Sequence, residues 1–244
     1  MSERLQKLIA NAGYGSRRWA ERLIEQGRVS LNNHAAKLGD KAVLNDKVKI
    51  DGKLINLKRY ADIETKVLIL NKQAGFICST KDNEGRKSVF DLLPKNSRWI
   101  MVGRLDLNTS GLLLFTNNGE LANKLMHPSA QIDREYAVRV LGKVKEEHIK
   151  KLTNGVELED GFAKFHKVIQ GGGEGANRWY RVVIREGRKR EVRRLWEFLD
   201  FKVSRLIRTR FGDIRLPDNL KSNQSKYLKP NQVQALLNSV NLKD

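Results

Sequence analysis

The 244-residue chain contains a single cysteine, Cys78. One thiol cannot close an intramolecular disulfide, which excludes stapled secreted scaffolds and fits a reducing compartment. Cys78 ends the apolar run Gly75, Phe76, Ile77, Cys78, so packing is the better reading than nucleophilic use. Histidine is scarce as well: His34, His127, His148 and His166 lie far apart, without metal-ligand spacing, and no metal is expected. No apolar run approaches the length of a membrane span, and the first ten residues lack the apolar core of a signal segment. A lipidation motif and a long basic amphipathic helix are also missing, so no membrane partner is expected. The expectation is a soluble cytoplasmic protein. The run from Gly171 to Gly175 lacks the Gly-Lys-Ser/Thr that completes a nucleotide-binding loop; a flexible hairpin between two strands is the better reading. No internal repeat is found. Acidic residues are outnumbered, 28 Asp plus Glu against 47 Lys plus Arg, for a formal charge of +19.

A charge that large calls for a polyanionic partner, and nucleic acid is the first candidate. Charge alone separates neither RNA from DNA nor binding from catalysis. The length suffices for a sizeable core and more than one small domain. Leu5, Leu8 and Ile9 are spaced for a helix that Gly13 ends. Ser16 suits the N-cap of a second helix with Trp19, Ala20, Leu23 and Ile24 on one face, and Gly27 sits where a C-terminal cap belongs. Val29 and Leu31 before Asn32-Asn33, and Val48 and Ile50 before Asp51-Gly52, read as short strands with tight turns. Residues 1–60 carry 13 Lys or Arg and 6 Asp or Glu, and Arg17, Arg18 and Arg22 lie on or beside the second helix. That surface could hold phosphates, although a lone Arg pair is more commonly a solvated helix face.

Residues 59–65 read as a linker. From Lys66 onward apolar strands alternate with turns and helices, giving one mixed α and β domain over 66–244. Val67–Leu70, Ile100–Val102 and Leu112–Phe115 are strand-like runs, and Tyr136, Val138, Val140 and Tyr180, Val182, Ile184 alternate. Helical patterns fall near 121–126, 148–152, 192–199 and 233–240, the last opened by Pro230. Asp106 stands in Gly103-Arg104-Leu105-Asp106-Leu107-Asn108-Thr109-Ser110-Gly111, a turn-rich connection between two strands. A fixed reactive carboxylate belongs in such a place. An Asp that merely closes its own turn belongs there too, and spacing alone favours that second reading.

The string around Asp106, continued by Leu112-Leu113-Leu114, resembles the catalytic motif of the ribosomal RNA pseudouridine synthases. Asn117-Asn118-Gly119-Glu120-Leu121 and His127-Pro128 resemble the single-site branch of that family. The stretch from Leu5 to Gly52 resembles the S-four-like RNA-binding domain, named after a small-subunit ribosomal protein. With Val156 to Gly161 and Val203 to Arg208, the resemblance narrows to members acting on large-subunit (23S) RNA and spans the chain to about residue 240. It implies an α+β protein: an S-four-like domain over 1–58, then a largely antiparallel-sheet catalytic domain. It implies that a uridine of 23S ribosomal RNA, free or in a large-subunit assembly intermediate, is detached at nitrogen, turned and rejoined through carbon. Nothing is added or removed, so no cofactor is expected. A monomer is the default expectation.

The family's catalytic carboxylate maps to Asp106, which must be ionised to act. Its cationic partner maps to Arg193 in Glu186-Gly187-Arg188-Lys189-Arg190-Glu191-Val192-Arg193. Tyr136 maps to the tyrosine placed against the uracil, and Leu206 to the apolar residue completing the pocket. Arg104 resembles the arginine that fills the space of an everted base. Arg17, Arg18, Arg188 and Arg190 are the expected RNA contacts. Lys72, in Leu70-Asn71-Lys72-Gln73, is expected to be structural or to touch RNA. Without the resemblance, Tyr136 and Leu206 read as packing and the basic run as a phosphate-binding face. Two other readings compete: a small-subunit-site synthase, and a non-catalytic RNA-binding assembly protein. The latter predicts a damaged motif, yet Asp106, Tyr136 and Arg193 are all present.

Overall fold

The computed structural model of the chain describes residues 2–58, 64–80, 82, 84–173 and 175–242. The linker expected over 59–65 thus lies largely outside the described residues, as does Glu174 of the glycine-rich run. The chain divides into two compact units, Met1–Glu64 and Thr65–Asp244.

The first unit opens with a two-residue strand β1 (Glu3–Arg4), followed by α1 (Leu5–Asn11) and α2 (Arg17–Glu25). The Ser16 side chain accepts a hydrogen bond from Trp19 N at 3.0 Å, which fixes the start of α2. Gly27, at φ 68°, ends it, with Arg28 N bonded back to Leu23 O. Strands β2 (Val29–Leu31) and β3 (His34–Ala35) form a hairpin on Asn32-Asn33, both left-handed. After the short β4 (Lys41–Ala42), β5 (Val48–Ile50) and β6 (Lys53–Ile55) form a second hairpin on Asp51-Gly52, again left-handed at both positions. The sheet order is β3-β2-β5-β6, while β1 pairs with β4. Leu5, Leu8, Ile9, Ala20, Leu23, Ile24, Val29 and Val48 form the core under it.

The second unit is built on a nine-stranded mixed sheet. Its main path uses β7 (Val67–Lys72), β9 (Ser110–Thr116), β10 (Arg134–Leu141), β13 (Lys167–Gln170), β14 (Asn177–Ile184), β15 (Lys202–Phe211) and β17 (Ser225–Tyr227), in the order β13-β14-β10-β15-β9-β7-β17. Strand β8 (Ile100–Val102) pairs with β9, and β16 (Ile214–Arg215) with β15. Every pairing is antiparallel except β15 with β9. Alternation along β9 sends Leu113 and Phe115 to one face and Leu112 and Leu114 to the other. α4 (Glu146–Asn154), the hairpin β11 (Val156–Leu158) with β12 (Gly161–Ala163), and α5 (Glu191–Glu197) contribute Leu152, Val156, Ala163, Val192, Leu195 and Trp196 to the first face. α3 (Gly119–Met126) and α6 (Pro230–Ser239) add Leu121, Leu125, Val233, Leu236 and Leu237 to the second. Strands β7 and β9 are covered on both faces and are apolar on both sides rather than cleanly alternating. No helix among the described residues is long and apolar enough to cross a membrane.

Candidate active site

Asp106 stands where the sequence suggests, on the connection 103–109 between β8 and β9, half-buried while its neighbour Leu105 is buried. Its turn is held from below by Lys72, whose side chain is 0% exposed. The Lys72 ammonium donates to Thr109 O at 2.8 Å, Asp106 O at 3.1 Å, Gln73 O at 3.2 Å and Leu107 O at 3.3 Å. Thr109 N bonds back to Asp106 O at 3.0 Å, and Gly75 N donates to Leu107 O at 2.8 Å. Burial pushes the Lys72 ammonium below the usual lysine range, and the neighbouring Cys78 and Asp106 side chains act in the opposite direction. Lys72 is therefore a structural hub of the turn. Cys78 also belongs to this neighbourhood: Leu105 N donates to its sulfur at 3.5 Å. It is half-buried and packs against the core, as its apolar run suggested.

Arg193, buried on α5, grips the same turn. It donates to Asn108 O at 3.0 Å and to Val203 O at 2.8 Å. Burial and the charge of Arg190 lower its pKa, and the Asp106 carboxylate opposes them. The direct pairing with Asp106 implied by the family is not formed. The guanidinium holds backbone carbonyls on either side, and Asp106 acts on it by proximity. Its Nε is buried without a hydrogen-bond partner.

Tyr136 on β10 and Leu206 on β15 are buried on the sheet face that also packs Leu105, Val192 and Leu195. Leu206 is opposite Val138 and Tyr136 is opposite Arg208, so Leu206, Arg208, Tyr136 and Val138 share that face. Strand β15 thus runs between the strand of Tyr136 and β9, which continues from the Asp106 turn. Gly111 is required there: at φ 102° a Cβ would lie 2.8 Å from Arg208 N and closer still to its carbonyl oxygen.

The remaining expected contacts divide. Arg104 is exposed beside Asp106, near enough for its charge to act on Cys78. Arg190 is exposed at the left-handed start of α5 (φ 54°) and pairs with Glu197 at 3.1 Å. Arg188 is tied down: it bonds Glu186, Asp160, and the carbonyls of Asp160, Gly161 and Phe162. Arg194 clamps Asp160 through two bonds of 2.8 Å. Arg188 therefore fastens the β11–β12 hairpin to the approach of α5 rather than presenting a free guanidinium to RNA. In the first unit Arg17, Arg18 and Arg22 are exposed along α2, whereas Arg28 is held by Asp51 through two bonds of 2.7 Å. Sequence reasoning assigned no role to Arg208, which is 2% exposed and donates from Nε to Leu112 O at 2.7 Å. It lies in the segment Val203–Arg208 singled out by resemblance, but strand alternation alone does not mark it.

A carboxylate on a cation-held turn, with a buried tyrosine and leucine on the adjoining sheet face, defines the class. Residues 66–197 match the family described as RNA pseudouridylate synthase, and residues 3–48 match the S4 domain. The chain belongs to the RNA pseudouridylate synthase family and is an isomerase. Among individual relatives, it is 54% identical over 224 residues to ribosomal large subunit pseudouridine synthase B of Yersinia pestis, covering 90% of this chain and 70% of that one. It is 55% identical to the protein of that name from Escherichia coli (strain K12), covering 90% and 77%. A solved structure described as the crystal structure of pseudouridylate synthase aligns over 96% of this chain and 99% of its own, with a TM-score of 0.66 and 26% identity.

Proposed function

We propose that the chain converts a specific uridine of large-subunit (23S) ribosomal RNA to pseudouridine during large-subunit maturation, with Asp106 as the catalytic carboxylate. The observation that carries this is the high identity to large-subunit synthases over nine-tenths of the chain, with Asp106, Tyr136 and Arg193 all present. The substrate is the RNA or an assembly intermediate that contains it, and the chain acts in the cytoplasm as a monomer without a cofactor. Residues 1–58 serve as the RNA-binding domain and 66–244 as the catalytic domain, joined over 59–65.

The target base leaves its stack, and Arg104, exposed beside Asp106, fills the gap. Tyr136 lies against the uracil and Leu206 closes the pocket. Asp106 acts as an ionised group, either by covalent attack or by removing a ribose proton, while the carbon–nitrogen bond breaks and the base is turned. Arg193 and Lys72 hold the turn through its carbonyls. Arg17 and Arg18 contact phosphates, as do the exposed Arg190 and, once freed from its acidic partners, Arg188.

The test is chemical mapping of pseudouridines in ribosomal RNA from cells with and without the protein. One large-subunit site should vanish in the deletion and return with wild type. Loss confined to small-subunit RNA would refute the assignment, and an unchanged map would favour a non-catalytic assembly protein.

A further inference from the structure

The buried Arg208 guanidinium carries a donor without a partner among the described residues. Its Nε is bonded to Leu112 O, and Phe211 lies beneath the guanidinium with its ring centre 5.5 Å away. Nη2 is buried and has no hydrogen-bond partner among the described residues. A buried N–H left unpaired is expensive, so a retained one calls for an acceptor. The backbone places that donor. Arg208 is opposite Tyr136 on one side and bridged to Gly111 on the other, five residues after Asp106. Its charge is felt at Cys78, whose sulfur accepts from Leu105 N. Arg208 thus lies directly across the strand pair from Tyr136, two residues from Leu206 on the same strand.

A guanidinium offers N–H donors and no acceptor. Uracil presents carbonyl oxygens at ring positions 2 and 4, whereas cytosine presents an amino group at position 4. The match is donor to acceptor for uracil, and donor against donor for cytosine at that edge. We propose that Arg208 is a specificity-determining residue that donates from Nη2 to the ring carbonyl at position 4 of the target uracil. This rests on the reading of Asp106 and Tyr136 as the walls of the uracil pocket. A site that bonds a substrate oxygen discriminates strongly against analogues lacking it, because its own buried donor is then left unpaired.

The experiment pairs protein and substrate changes. Once the modified position is mapped, RNA is prepared with uridine, 2-thiouridine or 4-thiouridine there, sulfur being the weaker acceptor. Single-turnover rates and RNA dissociation constants are measured for wild type, Arg208→Lys and Arg208→Met, with thermal melting to confirm folding. On ordinary uridine, Arg208→Met should lose about 100-fold in rate with RNA affinity within about threefold. The 4-thio substitution should slow wild type about tenfold or more yet leave Arg208→Met nearly unaffected. A 4-thio loss that simply multiplies with the Arg208→Met loss, or coupling found only with the 2-thio RNA, would overturn the proposal and leave Arg208 a strut between β9 and β15. Should Arg208→Met fail to fold, wild type decides it: slowing by the 4-thio RNA beyond the 2-thio RNA is expected, and equal rates on all three RNAs would overturn the proposal. Turnover by Asp106→Asn on ordinary uridine is measured alongside, and undiminished activity there would sink the pocket reading by itself.

Discussion

Replacing Lys72 by methionine tests how the turn bearing Asp106 is held. Methionine has nearly the same length and fills the same space but carries no donors. The ammonium has three protons and reaches four carbonyls, those of Gln73, Asp106, Leu107 and Thr109. Asp106 O and Leu107 O keep backbone donors, Thr109 N and Gly75 N, and Gln73 is exposed, so the loss is counted over the buried Thr109 O. A buried acceptor stripped of its partner costs about 1–3 kcal/mol. Removing a buried ammonium returns part of this, because its desolvation works against the fold. The net expectation is a loss of about 1–2 kcal/mol, a fall in melting temperature on the order of 5 °C. The catalytic effect should be larger than stability alone implies. A carboxylate displaced by about 1 Å costs on the order of 100-fold in rate. Chemical denaturation gives the first quantity, and single-turnover pseudouridine formation below the melting range gives the second. An unchanged denaturation midpoint together with unchanged turnover would refute the reasoning.

Further consequences follow from single residues. Gly111→Ala forces a Cβ against the Arg208 backbone at a positive φ, and should destabilise by more than about 3 kcal/mol and abolish turnover; a folded, active variant would contradict the close approach of β9 and β15. Glu191 is 3% exposed and burial raises its carboxyl pKa above the unfolded value, so its proton-linked stability is present at low pH and lost as pH rises through the folded pKa. Glu191→Gln should therefore melt higher than wild type at about pH 8, with the gain shrinking toward about pH 4; a gain that grows on acidification would reverse the assignment. Alanine at both Arg17 and Arg18 should weaken binding to large-subunit RNA and reduce the slope of log affinity against log salt by about 1–2, and an identical slope would remove α2 from the phosphate contacts.

Much of the scaffold was legible because local chemistry and tertiary packing agree. Ser16, Gly27, Asn32-Asn33 and Asp51-Gly52 each impose a cap or turn that the structure uses. The paired strands of Tyr136 and Tyr180 alternate as half-exposed strands do. What was not legible depends on partners remote in the chain. The carbonyls that hold the Lys72 side chain include ones 34 to 37 positions away, and Arg208 meets Leu112 at a separation of 96. A buried cation looks like a surface one until those carbonyls are placed. The partners of Arg188 were hidden for the same reason: one of its acids, Asp160, comes from a hairpin 28 residues earlier. The two-residue strands β1, β4 and β16 are too short to leave any periodicity.

The most direct measurement is pseudouridine formation by Asp106→Asn on large-subunit ribosomal RNA, with binding measured in parallel. The substitution keeps the size of the side chain and removes its charge. Turnover should be abolished while RNA affinity stays close to wild type. Turnover retained by a pure preparation of that variant, free of any wild-type protein, would contradict the account.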